Sequence, residues 1–117
     1  MSKIKRIGAG ARMSKAVVHE DTLYSAGQVA GKTKGGSVAD QTQEILGLID
    51  EILAEAGSDK SKILSATIYL ADIAAFAEMN AVWDQWVDKA NPPARATVEA
   101  RLVAPDYKVE IAVVAAI

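Results

Sequence analysis

Cysteine is absent from the 117 residues, which excludes a disulfide framework, a thiolate nucleophile and any cysteine-ligated zinc or iron-sulfur centre. The only histidine is His19, so most histidine-based metal sites are excluded as well. Neither sign of charge dominates: 13 basic and 15 acidic residues are scattered along the chain, leaving a formal net charge of -2. The basic stripe that a phosphate backbone requires is missing, and nucleic acid is not an expected partner. No apolar run approaches the roughly 18–20 residues of a membrane span, and Met1-Ser2-Lys3-Ile4-Lys5-Arg6 lacks the apolar core of a secretory signal. The expectation is a cytoplasmic protein with no membrane partner. Chemistry is left to carboxylates, Arg, Lys, Tyr, Ser, Thr, backbone groups and water.

What is present is an ordinary globular composition, half hydrophobic and 24% charged, of a length that suits a single domain over residues 1–117. Ala16-Val17-Val18 and Leu23-Tyr24-Ser25-Ala26 flank a polar turn at His19-Glu20-Asp21-Thr22 and read as a hairpin. A flexible, solvated loop is expected through Gly31-Lys32-Thr33-Lys34-Gly35-Gly36. From Ser37 to Ala56 the period turns helical, with Ile45, Leu48, Ile49, Ile52 and Leu53 on one face and Gln41, Glu44, Asp50, Glu51 and Glu55 elsewhere. Ser37-x-x-Asp40 is a capping signal, and Gly57 marks the exit. Ile63 to Leu70 alternates as a strand, with Leu64, Ala66, Ile68 and Leu70 on one side. Asp72 caps a second helix reaching about Val87, with a stripe of Phe76, Met79, Asn80, Trp83 and Val87, and Asn91-Pro92-Pro93 stops it. Strands at Ala96 to Leu102 and Val109 to Ala116 complete the chain.

The expected fold is therefore α+β, in the order β-β-α-β-α-β-β: a mixed sheet with two helices packed on one face. Its other face would be uncovered. Adjacent pairs such as Val17-Val18 and Val113-Val114 place apolar groups on both sides, more than a lone chain comfortably exposes. Self-association is the expected remedy, and the 22 alanines suit close packing of sheets and helices.

Several motifs reduce to ordinary structure. Gly8-Ala9-Gly10 lacks the third glycine of a dinucleotide fingerprint, since position 13 is Met13, and no strand is expected before it. The loop at 31–36 has Ser37 where a phosphate loop needs lysine. His19 lies in a turn beside Glu20 and Asp21, and Phe76, Trp83 and Trp86 read as helix-to-sheet packing. Glu99 and Arg101 read as a surface ion pair, and Lys60 and Lys62 as solvated.

Arg95 and Glu110 are different. Glu110 interrupts Val109-Glu110-Ile111-Ala112-Val113-Val114, and Arg95 opens another strand-like run. A carboxylate in such surroundings costs several kcal/mol unless something pairs with it. Either the two form a buried or inter-subunit salt bridge, or Arg95 clamps a substrate carboxylate through its planar fork while Glu110 holds a water.

These residues also carry a resemblance. Pro93-Ala94-Arg95-Ala96-Thr97-Val98, then Arg101 and Val103, then Val109-Glu110-Ile111 after a five-residue gap, resembles the C-terminal signature of the RidA/YjgF family of reactive-intermediate deaminases. Ser25-Ala26-Gly27-Gln28-Val29 resembles that family's strand-end segment, and Phe76-Ala77-Glu78-Met79-Asn80 its second-helix entry. The likeness runs from about Met13 to Ala116 and is nearest to the shorter branch with an Arg-Met-Ser start.

The resemblance implies a chorismate-mutase-like mixed sheet and a homotrimer whose sheets line a central barrel, with pockets between subunits. In such a pocket the arginine matching Arg95 holds the substrate carboxylate and the glutamate matching Glu110 positions water. Backbone groups at Ala26 and Gly27 and the side chain of Thr97 complete it, and Met13 stands where better-known members carry a pocket-closing tyrosine. The implied reaction is hydrolysis of 2-imino and 2-aminoacrylate type intermediates to 2-oxo acids and ammonia, without metal or cofactor. Arg12-Met13 in place of Pro-Tyr, Ala26 in place of a frequent serine and Thr97 in place of a frequent cysteine leave a second reading: a non-catalytic module that keeps Arg95 to bind a small 2-oxo acid. A ribonuclease activity sometimes ascribed to the family is disfavoured by the lack of basic patches and histidines.

Overall fold

The computed structural model describes residues 3–117. Its strands are β1 (Ile4–Ile7), β2 (Ala16–His19), β3 (Thr22–Ser25), β4 (Gln28–Val29), β5 (Ile63–Leu70), β6 (Ala94–Glu99) and β7 (Val109–Ala116). The helices are α1 (Val38–Glu55) and α2 (Phe76–Trp86). The strands form one sheet in the order β1-β2-β3-β7-β5-β6, with β4 also paired to β7. Only β5 and β6 run parallel, which is why α2 lies between them in sequence. Among the described residues no helix is long and apolar enough to cross a membrane.

Both helices cover one face of the sheet. Inward residues of β5 and β7 (Ala66, Ile68, Leu70, Val109, Ile111, Val113, Ala115) meet Ile45, Leu46, Ile49 and Leu53 of α1 and Met79 and Trp83 of α2 in the core. The opposite face carries Val17, Tyr24, Thr67, Tyr69, Val98, Ala112 and Val114, and among the described residues no element packs across it. The expected arrangement of helices on one side of a mixed sheet is therefore the observed one.

Helix α1 starts and stops as its sequence dictates. The Ser37 side chain accepts from the Asp40 N–H at 3.0 Å. At the other end Gly57 takes φ +79, its N–H donates to Ala54 O, and the Ser58 N–H donates to Leu53 O. These two bonds make a Schellman ending, whose left-handed position favours glycine.

The structure departs from the sequence reading at definite places. A strand, β1, precedes Gly8-Ala9-Gly10 and pairs with β2, extending the hairpin at the sheet edge. Its four residues Ile4-Lys5-Arg6-Ile7 bury only Ile7, too weak an alternation to register as a strand. Leu64 is 53% exposed, not in the core, because the β5–β7 register shifts between Ile63 and Ser65 and turns Ile63 inward instead. Asp72 caps a short 3-10 turn, Ile73–Ala75, ahead of α2, by accepting from the Ala74 N–H at 2.9 Å. Strand β6 begins two residues earlier than expected and ends at Glu99, whose carboxylate accepts from the Ile73 N–H at 3.0 Å. Arg101 thus lies beyond the strand. Gln41, assigned to the outer face of α1, is fully buried.

The loop at 31–36 is pinned. The Glu44 carboxylate accepts from the Lys32 N–H at 3.0 Å, the Thr33 N–H at 2.8 Å and the Thr33 hydroxyl at 2.7 Å. Desolvation against the loop raises the Glu44 pKa, but these hydrogen bonds and the neighbouring Lys32 charge outweigh it and hold the pKa below the usual glutamate value. The pKa is depressed in the folded state, so its contribution is present above the unfolded glutamate pKa and is lost as pH falls through the lower folded value. Acid is accordingly expected to release the Lys32 and Thr33 amides in step with a Glu44 titration below the ordinary glutamate range, read by amide exchange. The Glu44→Gln protein should show no such step, and loop amides indifferent to acid in the wild type would contradict the mechanism.

Candidate active site

Strand β6 presents Arg95 and Thr97 to the helical side of the sheet, because Arg95 is registered with the buried Ala66 and Thr97 with Ile68. There the Arg95 guanidinium carbon sits 5.2 Å from the ring centre of Trp83 and 5.7 Å from that of Phe76. Both lie within the roughly 6 Å reach of a cation–π contact. Neither ring can accept a conventional hydrogen bond, so these contacts leave the guanidinium N–H donors to other partners. No hydrogen-bond acceptor for those donors is found among the described residues. The Thr97 Oγ1 and the Asn80 Oδ1 are likewise buried without a hydrogen-bond partner. Asn80 stands one turn from both Phe76 and Trp83 on α2, so three polar groups lacking acceptors or donors collect between α2 and β6. Buried polar atoms of this kind are costly unless a ligand or water satisfies them.

Glu110 belongs to the other face. It is registered with Tyr69 of β5 and Val29 of β4, and its neighbours Val109 and Ile111 point into the core. Its carboxylate lies directly against Gly27: a β-carbon there would come within 2.7 Å of the Glu110 Cδ and 3.0 Å of its Cγ. A bulge creates this approach. The pairing of β7 advances by one residue between Tyr24–Val114 and Gln28–Ile111, and in the gap the Val113 N–H donates to the Ser25 hydroxyl at 2.9 Å. Ala26 is anchored beside it, with its N–H on Lys15 O at 2.8 Å and its carbonyl accepting from the Gln28 side chain at 3.0 Å. Met13, on the loop between β1 and β2, is 58% exposed, and its carbonyl accepts from the Gly10 N–H.

The sequence-derived site residues thus form two groups. Gly27 and Glu110, with Ala26 next in sequence, form one; Arg95 and Thr97, with Asn80, form the other. Arg95 aligns through Ala66 with Val113, three residues along β7 from Glu110, and β6 is two strands away from β7. That spacing amounts to about 10 Å along the strands and about 10 Å across them, with the side chains on opposite faces. A salt bridge between Arg95 and Glu110 of one chain is therefore excluded by geometry. Two surface depressions lie elsewhere: one of about 730 Å³ near Glu99, Arg101, Val103 and Tyr107, the other of about 280 Å³ between Lys60, Val82 and Trp86.

Sequence reasoning missed Asn80 as a polar group and missed the use of Phe76 and Trp83 as a seat for Arg95. Phe76 is 41% exposed, so it is only partly the packing residue its helical spacing suggested. An asparagine inside an otherwise apolar stripe was the available signal. His19 ends β2 at the solvent-exposed hairpin, outside both groups.

A mixed sheet with both helices on one side is the architecture of the YjgF and L-PSP proteins. The chain belongs to this family: its profile, described as Endoribonuclease L-PSP, matches residues 3–117. The chain is 50% identical over 112 residues to a RutC family protein of Haemophilus influenzae, covering 96% of this chain and 97% of that one. It is 33% identical over 120 residues to the human 2-iminobutanoate/2-iminopropanoate deaminase, covering 98% and 87% of the two chains. A crystal structure of a YjgF family member from Neisseria meningitidis superposes with a TM-score of 0.94 at 44% identity, covering 97% of this chain and 94% of that one.

Proposed function

We propose that the protein hydrolyses small 2-imino acids, of the 2-iminopropionate and 2-aminoacrylate type, to 2-oxo acids and ammonia, in pockets completed by a neighbouring copy of the chain. The observation that carries the reading is Arg95, a guanidinium within cation–π reach of two rings and with no hydrogen-bond acceptor for its donors among the described residues. Such a fork fits a carboxylate through two charge-assisted hydrogen bonds. The human relative bears the name of an imine deaminase, which agrees in substrate class.

Arg95 binds the carboxylate, and Thr97 and Asn80 meet the polar atoms next to it. Glu110, brought from a second chain across the interface, orients a water and takes its proton as the C–O bond forms. The imine π electrons pass to nitrogen, giving a tetrahedral carbinolamine. Proton delivery to that nitrogen and collapse of the hydroxyl break the C–N bond and release ammonia. Every atom consumed comes from the imine and one water. General base assistance of this kind contributes about 10²–10⁴-fold, enough for a substrate that already hydrolyses unaided. The uncovered sheet face, with Tyr24, Tyr69, Val98 and Val114, supplies the surface for self-association, and we assign a homotrimer in the cytoplasm.

The test generates 2-iminopropionate in situ and follows its loss against semicarbazide trapping. Wild type should accelerate the loss. Arg95→Lys keeps the charge but removes the planar fork, and losing one or two bonds worth about 1.5–3 kcal/mol each corresponds to at least a tenfold loss of turnover. A wild type without acceleration that still binds 2-oxobutyrate through Arg95 would replace the enzyme reading with the binding-module reading.

A further inference from the structure

The chain segments around Glu110 are joined by one buried amide. Gln41 on α1 has no exposed surface, although it lies in the apolar stripe that continues through Ile45 and Ile49. Its Nε2 donates to Asp106 O at 2.9 Å and to Gly36 O at 3.3 Å, and its Oε1 accepts from the Lys108 N–H at 2.9 Å. A buried side-chain amide is tolerated only with its hydrogen bonds made. Here the partners come from two separate loops, which are also joined directly by the Gly35 N–H on Asp106 O at 2.9 Å.

Those loops adjoin the two strands that meet at Glu110. Lys108 is two residues before it, and the Lys108 carbonyl accepts from the Ala71 N–H at 3.0 Å, setting where β7 begins. The loop ending at Gly36 follows β4, whose Val29 is registered opposite Glu110. The Gly27 surface against which the carboxylate rests lies just before β4. Arg95, at the start of β6 on the other face of the sheet, is touched by none of this.

We propose that Gln41 is a positioning residue for Glu110: its amide locks the 31–36 loop to the 105–108 segment and so fixes the carboxylate against Gly27. This rests on the reading of Glu110 as the group that holds the attacking water. Gln41→Glu keeps the size and the acceptor for Lys108 but turns an oxygen toward two carbonyls. Gln41→Met keeps the volume and removes all three bonds.

Each variant is expected to lower kcat for 2-iminopropionate at least tenfold, with KM and 2-oxobutyrate affinity within twofold of wild type. Combined with Glu110→Gln, Gln41→Glu should add almost nothing, because both changes remove the same oriented carboxylate. Unchanged turnover, losses that multiply, or a matching loss of 2-oxobutyrate affinity would overturn the proposal. A wild type with no turnover would defeat the functional reading on its own, and the clamp is then read from amide exchange. In wild type the Lys108 amide should exchange at least tenfold more slowly than that of Val103, and this protection should vanish in Gln41→Met. A Lys108 amide as fast as Val103 in wild type overturns the clamp even where the variants fail to fold.

Discussion

Arg95→Lys and Glu110→Gln proteins, denatured together in equal amounts and refolded, are expected to recover about a quarter of wild-type turnover, although each alone has little. The expectation follows from the sheet. Arg95 and Glu110 of one chain project from opposite faces, separated by β5, so on the proposed function a pocket that uses both takes its guanidinium and its carboxylate from different chains. With random assembly a pocket receives an intact arginine half of the time and an intact glutamate half of the time, which makes about one pocket in four complete. If both groups came from one chain, no mixed assembly would contain a complete pocket and the recovery would be nil. The fraction does not depend on whether the ring has two members or three, so it tests the sharing of the site separately from its stoichiometry.

Gly27→Ala is expected to separate activity from stability. The nearest atoms the added methyl meets all belong to the Glu110 side chain, with Cδ at 2.7 Å and Cγ at 3.0 Å. A carboxylate at the end of a flexible side chain swings away at small energetic cost, and Gly27 is not among the glycines at positive φ. Folding stability should hold or rise by about 0.4–1 kcal/mol, since alanine narrows the unfolded ensemble. Turnover should fall about as far as in Glu110→Gln, by about 10²-fold or more, because a displaced carboxylate no longer aims its water. Thermal unfolding and the trapping assay on the same sample decide it. An alanine protein with full turnover would show that the resting position of Glu110 against Gly27 has no bearing on the chemistry.

Much of this was readable from residue order, for local reasons. Ile63–Leu70 and Val109–Ala116 coincide with the expected strands because long alternating or β-branched runs admit one reading. Helix α1 was bounded by its own cap and its glycine. The misses come from interactions that sequence spacing does not encode. Gln41 was assigned to the outer face because it is polar; what buries it is a set of backbone partners, two of them 65 and 67 residues away. Leu64 looked inward because alternation cannot anticipate a bulge. Arg95 and Glu110 were recognisable as unusual, but that they stand on opposite faces depends on strand register, which sets Arg95 level with Val113, three residues from Glu110.

Strand β6 has a single neighbour, β5, and Ala94, Ala96, Val98 and Glu99 along it are exposed. The strand that carries the guanidinium is therefore an edge strand, held on one side only in an isolated chain. Dilution should then silence the protein before it unfolds it, and specific activity should climb with protein concentration. By linkage, a carboxylate that binds only the assembled form pulls chains together as it binds. The arriving metabolite would thus help to build the machine that consumes it.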